Sequence, residues 1–209
     1  MDNLALFPVG VVLFPESTLP LHIFEERYKE LINTCLDEKR QFGINLINPK
    51  NMHDVGCSAK VFRVLKKYPD GKMDVLVKGV KRYKLVSFSE EEFSYYTGEV
   101  EFFEDEDDTF DRELLLQCTD MFNQVANRIT TVRVDEINPE RVGTNKPSFL
   151  IAQKSGLSLK QRQSLLEIRS EDERLQTLID HLNTLLPVIK ETELANQLIK
   201  NDGYFPPKI

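Results

Sequence analysis

Apolar and polar positions change rhythm about halfway along the chain. In the first hundred residues short apolar runs at 4–7, 11–14 and 19–24 are cut by Pro8, Gly10, Pro15 and Pro20, a spacing that predicts short strands. Proline lacks the ladder N–H and is confined to strand ends, edges or bulges, so the expected sheet is curved and broken. One helix interrupts it. Over residues 25–38, Tyr28, Leu31, Ile32, Cys35 and Leu36 form a single stripe at helical spacing, which turns Cys35 inward. Further strands are expected at 42–47, 57–68, 72–78, 80–88 and 95–103, with Pro69-Asp70-Gly71 as a tight hairpin turn between the second and third of these. About seven short strands around one helix would hide their edges best in a small, partly closed barrel.

An unbroken acidic run, 104–108, then marks a change of composition and reads as an exposed connection. It lacks the alternating ligands, the Gly and the distal Glu of a calcium loop, so a solvated linker fits it better. The expected division is therefore a β-rich domain over 1–104 and an α-helical domain over 105–209, an α+β chain. Over 111–129, Leu115, Cys118, Phe122, Val125 and Ile129 share one helical face. Ser158 with Gln161 and Ser170 with Glu173 have capping-box spacing and predict two helix starts. After the second, Leu175, Leu178, Ile179, Leu182, Leu185, Leu186 and Ile189 form a core stripe, and Pro187 should kink or end that helix within a turn. Leu194 and Leu198 extend the pattern, Gly203 suits a left-handed stop, and the tail YFPPKI should run extended.

Composition narrows the class. The chain has 209 residues, 34 Asp plus Glu against 27 Lys plus Arg, three Cys and 41% hydrophobic residues, which excludes a disordered, collagenous or disulfide-stapled protein. The N-terminus MDNLALFPVGVVLFP has no basic region, is broken by prolines and offers no small-residue cleavage site, so it does not read as a signal peptide. No apolar run approaches the roughly 20 residues of a membrane span. A cytoplasmic protein without membrane contact is expected, and three widely spaced cysteines without CxxC suit buried thiols in a reducing compartment.

Four motifs stand out, LALFPVGVVLFPESTLPLHIFEERYKEL at 4–31, FGI at 42–44, YPDGKMDVLVKGVKRYKL at 68–85 and LKQRQSLLEIRSEDERLQTLI at 159–179. Taken together and in this order, they resemble the N-terminal LON domain of Lon proteases. The resemblance implies a six-stranded, PUA-like pseudo-barrel carrying one helix, followed by a C-terminal helical bundle; a similar β fold occurs in the amino-terminal part of cereblon. It also implies substrate recognition, with unfolded polypeptide or a partner protein as ligand and a separate Lon-type ATPase as a possible companion. No GxxxxGK[ST] is present to hold nucleotide phosphates, and nothing resembles a serine-lysine protease module. The expected protein is a stand-alone LON-domain protein, non-catalytic and free of cofactors, a monomer or weak dimer. The Gly and prolines of its tail read as a true terminus.

Candidate chemistry is sparse. His22, His53 and His181 fall in a strand, a loop and a helix, no three metal ligands cluster, and Cys35 and Cys118 lie on core faces, so neither a metal site nor a Cys-His nucleophile is expected. In LPLHIFEERY, where a strand feeds a helix, structural duty comes first: Glu25 and Glu26 suit the positive helix end and Tyr28 lies on the buried stripe. Polar residues at such junctions are often exposed, so His22, Phe24, Arg27 and Tyr28 are the candidate peptide-binding residues. The alternative is RNA binding. Residues 60–84 hold nine basic and two acidic side chains, a local +7 in a chain of net −7, and Lys66, Lys67, Lys81 and Arg82 would meet phosphates. A solvated, lysine-protected strand face explains the same run, and the overall acidity argues against a dedicated nucleic-acid binder.

Overall fold

The computed structural model describes residues 2–49, 51–89, 93–107, 109–129, 134–144 and 146–200, with backbone alone over 193–200. The chain divides into two compact units: residues up to Glu106 together with Leu157–Ser170, and Asp107–Gly156 together with the chain from Glu171 onward. By contact the segment 157–170 belongs with the β-rich unit and not with the helices on either side of it in sequence.

In the first unit the elements are β1 (Asp2–Val9), β2 (Thr18–Ile23), α1 (Glu26–Glu38), β3 (Phe42–Ile47), β4 (Met52–Lys67), β5 (Met73–Ser89) and β6 (Thr97–Phe102). They form one sheet in the order β2-β5-β4-β3-β1-β6, and β6 also pairs with the far half of β5, so five strands close into a ring. Among the described residues only β1 and β3 run parallel. The six strands are the number that the resemblance implies, one fewer than the roughly seven read from the apolar runs. Val12, Leu13 and Phe14 are buried but pair in no ladder, and residues 73–78 and 80–88 belong to the single strand β5.

Gly79, which looked like a strand break, is what lets β5 continue. A Cβ there would sit 2.2 Å from the carbonyl oxygen of Phe14, and the Gly79 N–H donates to the Ser17 carbonyl at 2.9 Å. The 11–17 segment thus leans on β5 at the one position without a side chain. At the other end of the β4–β5 hairpin, Gly71 takes φ +81°, the left-handed conformation that its turn requires. The core beneath α1 contains Phe7, Leu31, Ile32, Phe42, Ile44, Val75 and Val77, with the helix stripe of Tyr28, Leu31, Ile32 and Cys35 facing it as its spacing predicts.

The helix α4 (Leu159–Glu167) begins with the expected Ser158–Gln161 capping box. It is tied to the β unit by side chains no periodicity reveals. Arg162 donates to the Val12 carbonyl at 3.2 Å and lies over the Phe14 ring, and Gln163 Nε2 donates to the Val55 carbonyl at 3.1 Å. Arg82 of β5 donates to the carbonyls of Leu166 and Ile168 and pairs with the buried Asp105 carboxylate. Asp105 therefore corrects the reading of 104–108 as a solvated linker: a buried guanidinium needs a buried countercharge, and this run supplies it. Glu106 N–H donates to the Arg169 carbonyl at 3.0 Å, continuing the attachment.

The second unit contains α2 (Arg112–Arg128), α3 (Pro147–Lys154), α5 (Glu171–Lys200) and a 3-10 turn at Pro139–Arg141. Asp111 caps α2 by accepting from the Glu113 N–H. Leu115, Cys118, Phe122 and Val125 of α2 are buried, as are Leu175, Leu178, Ile179 and Leu182 of α5. Beyond Leu182 the α5 stripe is only half-buried, and the helix runs through Pro187 without ending there. The proline forfeits one backbone bond, which does not end so long a helix. Gly203 and the YFPPKI tail lie outside the described residues. A buried network closes this unit: Glu171 accepts from the Ser148 N–H and hydroxyl, both at 2.7 Å, and from Arg174, whose guanidinium covers the Phe149 ring.

Candidate functional site

β2 leads directly into α1, and the junction forms the floor of a cavity of ≈450 Å³. Its lining includes Phe7, Pro8 and Val9 of β1, Pro20 to Ile23 of β2, Phe24, Glu25, Arg27 and Tyr28 at the start of α1, Ile47 at the end of β3, and Tyr96. The four residues expected to bind peptide, His22, Phe24, Arg27 and Tyr28, all line this one cavity. Tyr28 contributes a wall from within the core, its ring centroid 4.2 Å from that of Phe7. Phe24 is the opposite case, 57% exposed at the mouth.

Consecutive residues of β2, from both faces of the strand, line the cavity. Side chains alternate across a strand, so a space lined by every residue in turn runs along the strand's edge. The pairing agrees. Among the described residues β2 forms a ladder with β5 alone, and β6 pairs with β1 only as far as Ala5, so 7–9 of β1 and 19–23 of β2 each have a side outside any ladder. Pro8 and Pro20 have no N–H to offer there. The cavity is a gap beside two strand edges with a mainly apolar lining.

Polar groups at the rim are few and already oriented. Arg27 meets the Glu25 carboxylate through both Nε, at 2.9 Å, and Nη2, at 2.8 Å, and lies over the Tyr28 ring at 4.6 Å, so its guanidinium is already held in place. His22 Nδ1 lies 2.6 Å from Asp74 Oδ1, directly across the β2–β5 ladder, and the Tyr68 hydroxyl donates to the other Asp74 oxygen at 2.8 Å. Those two bonds, His22 first, hold the Asp74 carboxyl below the usual carboxylate value. Burial pushes the Cys57 and Cys118 thiols up to about 12 and Cys35 to about 11, so all three are inert hydrophobes.

The basic residues proposed for RNA do not form one surface. Arg82 is buried against Asp105 and the end of α4, which removes it from any phosphate. Lys66 and Lys67 lie near the hairpin turn, whereas Lys81 is exposed further along β5, 4.0 Å from Glu104. Phe7, Pro8, Val9, Ile47 and Tyr96 of the cavity went unrecognised in the sequence, since their convergence depends on strand order and no local motif signals it.

Comparison with known proteins fits this description. The family model of the ATP-dependent protease La (LON) substrate-binding domain matches residues 3–184. Lon protease of Bacillus thuringiensis is 31% identical over 212 residues, covering 91% of this chain and 25% of that protein. Lon protease 1 of Hydrogenovibrio crunogenus is 25% identical over 204 residues, with 91% and 24% covered. The chain thus spans about a quarter of the length of these curated relatives. Among solved structures, the Lon N-terminal domain protein from Xanthomonas campestris superposes with a TM-score of 0.67 at 24% identity, covering 86% of this chain and 98% of that one. The N-terminal domain of Mycobacterium avium complex Lon protease gives 0.68 at 19%, with 87% and 98% covered. Among the described residues no helix is long and apolar enough to cross a membrane.

Proposed function

Because the chain belongs to the family of LON substrate-binding domains, we propose that it is a non-catalytic module that binds unfolded polypeptide in the cavity between the edges of β1 and β2. The observation that carries this reading is the cavity's lining by successive residues of β2, which presents backbone as well as side chains to a guest. An extended segment entering there would add a strand to β2, with backbone hydrogen bonds giving sequence-tolerant affinity. Apolar side chains of the guest would meet Phe24, Ile47 and Tyr96.

Such binding tolerates salt, since apolar contact and neutral hydrogen bonds dominate it, whereas phosphate binding weakens steeply as salt rises. The test is a fluorescence-anisotropy titration of the protein into a labelled, alkylated and permanently unfolded polypeptide, with single-stranded RNA as a parallel probe. Saturable binding that survives moderate salt and weakens about tenfold in Phe24→Ser, with thermal stability unchanged, is expected. No saturable polypeptide binding, or salt-sensitive binding of RNA alone, overturns the proposal.

A further inference from the structure

β3 pairs with β4 only as far as Ala59, so from Lys60 to Lys67 β4 carries β5 on one side and forms an edge on the other. Two β-bulges fall in this stretch. Val61 pairs with Val77 and Arg63 with Leu76, so Phe62 is the extra residue of the first; Val64 pairs with Val75 and Lys66 with Asp74, so Leu65 is the extra residue of the second. A bulge sets two residues against one and breaks strict alternation, so each turns an adjacent pair to the same side.

The sequence Val-Phe-Arg-Val-Leu-Lys at 61–66 repeats in step with the bulges. Val61 and Val64 pack against the core, while Phe62 is 54% and Leu65 52% exposed. Arg63 places its guanidinium over the Phe62 ring at 6.0 Å, which puts the two side chains on one face. Lys66 lies over the Tyr68 ring at 4.4 Å and faces Asp74, a carboxylate already occupied by His22 and Tyr68. Residues 60–67 hold four basic side chains and no acidic one.

Bulges and lysines ordinarily protect an edge from strand addition. Here both extra positions are large and apolar, a row of two beside a row of two cations. We propose that this edge of β4 is a second docking surface, apart from the β1–β2 cavity, for an extended polypeptide segment in which apolar and acidic side chains adjoin. Charge complementarity selects the acids, and Phe62 and Leu65 supply the apolar contact.

The test uses the full chain and a fluorescent twelve-residue peptide of Leu and Glu, with two controls in which Lys replaces Glu or Ser replaces Leu. Two variants are compared, Phe62→Thr with Leu65→Thr, and Arg63→Gln with Lys66→Gln; both alter exposed side chains, and a melting curve confirms folding. If one pair fails to fold, the other still decides. The expected result is saturable binding of the Leu-Glu peptide alone, weakened about tenfold by either pair and unchanged by Phe24→Ser, with affinity falling as salt rises. Wild-type affinity in the folded variants, equal binding of the controls, or binding only of RNA or of phosphatidylserine vesicles overturns it. Loss with Phe24→Ser but not with the β4 variants overturns it as well, while leaving the cavity as the peptide site.

Discussion

Arg82 and Asp105 form an ion pair whose side chains are 1% and 2% exposed, joining β5 to the segment that leaves the sheet. Removing one partner of such a pair leaves an uncompensated buried charge. Asp105→Ala is therefore expected to lower unfolding free energy by about 3–5 kcal/mol in urea denaturation. Replacing both, Arg82→Met with Asp105→Leu, should cost less than the single change. A double variant worse than Asp105→Ala would mean that the bonds from Arg82 to Leu166 and Ile168 matter more than the pair itself.

Gly79→Ala is expected to destabilise by about 1–3 kcal/mol, as overpacking does, because the new methyl would fall 2.2 Å from a backbone oxygen that cannot swing away. Gly143 has open space at the same test, so Gly143→Ala serves as the control. Equal melting temperatures for the two variants would contradict the close approach of residues 11–17 to β5.

The Asp74 carboxyl, held low by His22 and then Tyr68, should titrate below an ordinary carboxylate when followed by carbon-detected NMR. A carboxyl depressed in the folded state adds stability above its unfolded pKa, and that contribution is lost as pH falls through the folded value. His22→Ala removes the larger cause, so the Asp74 midpoint should move up toward the ordinary value. An unmoved midpoint would show that the Tyr68 hydroxyl alone sets it.

For the thiols the sign is reversed. Folding raises Cys57 and Cys118 from 9.0 to about 12, so their contribution is complete below pH 9 and is lost as pH rises toward 12. Native protein at pH 8 should leave all three cysteines unmodified by a thiol-specific chromogenic reagent and release the full signal only in denaturant. Rapid labelling of one cysteine in the native state would contradict its burial.

The pattern of the chain was most legible where a structure is local. The α1 stripe, the Pro69-Asp70-Gly71 hairpin, the Asp111–Ile129 helix face and the Ser158 capping box all depend on residues within a few positions of one another. His22, Phe24, Arg27 and Tyr28 could be grouped for the same reason, since they share one stretch of ten residues. What stayed hidden depends on distant partners. Gly79 reads as a break until Phe14 is known to cross it, and Asp105 reads as one acid among several until Arg82 is found beneath it. Local repetition is not enough either: the three-residue rhythm of 61–66 contradicts a strand's period of two unless bulges are present.

The membership of α4 in the β-rich unit has a consequence for the order in which the molecule is made. The acceptors for Arg82 at Leu166 and Ile168, and the side chains that reach Val12 and Val55, are synthesised some eighty to one hundred and fifty residues after their partners. A nascent chain emerging from the ribosome can pair β1 through β6 while this charge still lacks its helix carbonyls. Completion waits on the arrival of residue 170, by which time α2 and α3 have already been translated. Vectorial synthesis therefore presents the sheet first in an unfinished form, and its closure is deferred until the chain has been made as far as residue 170.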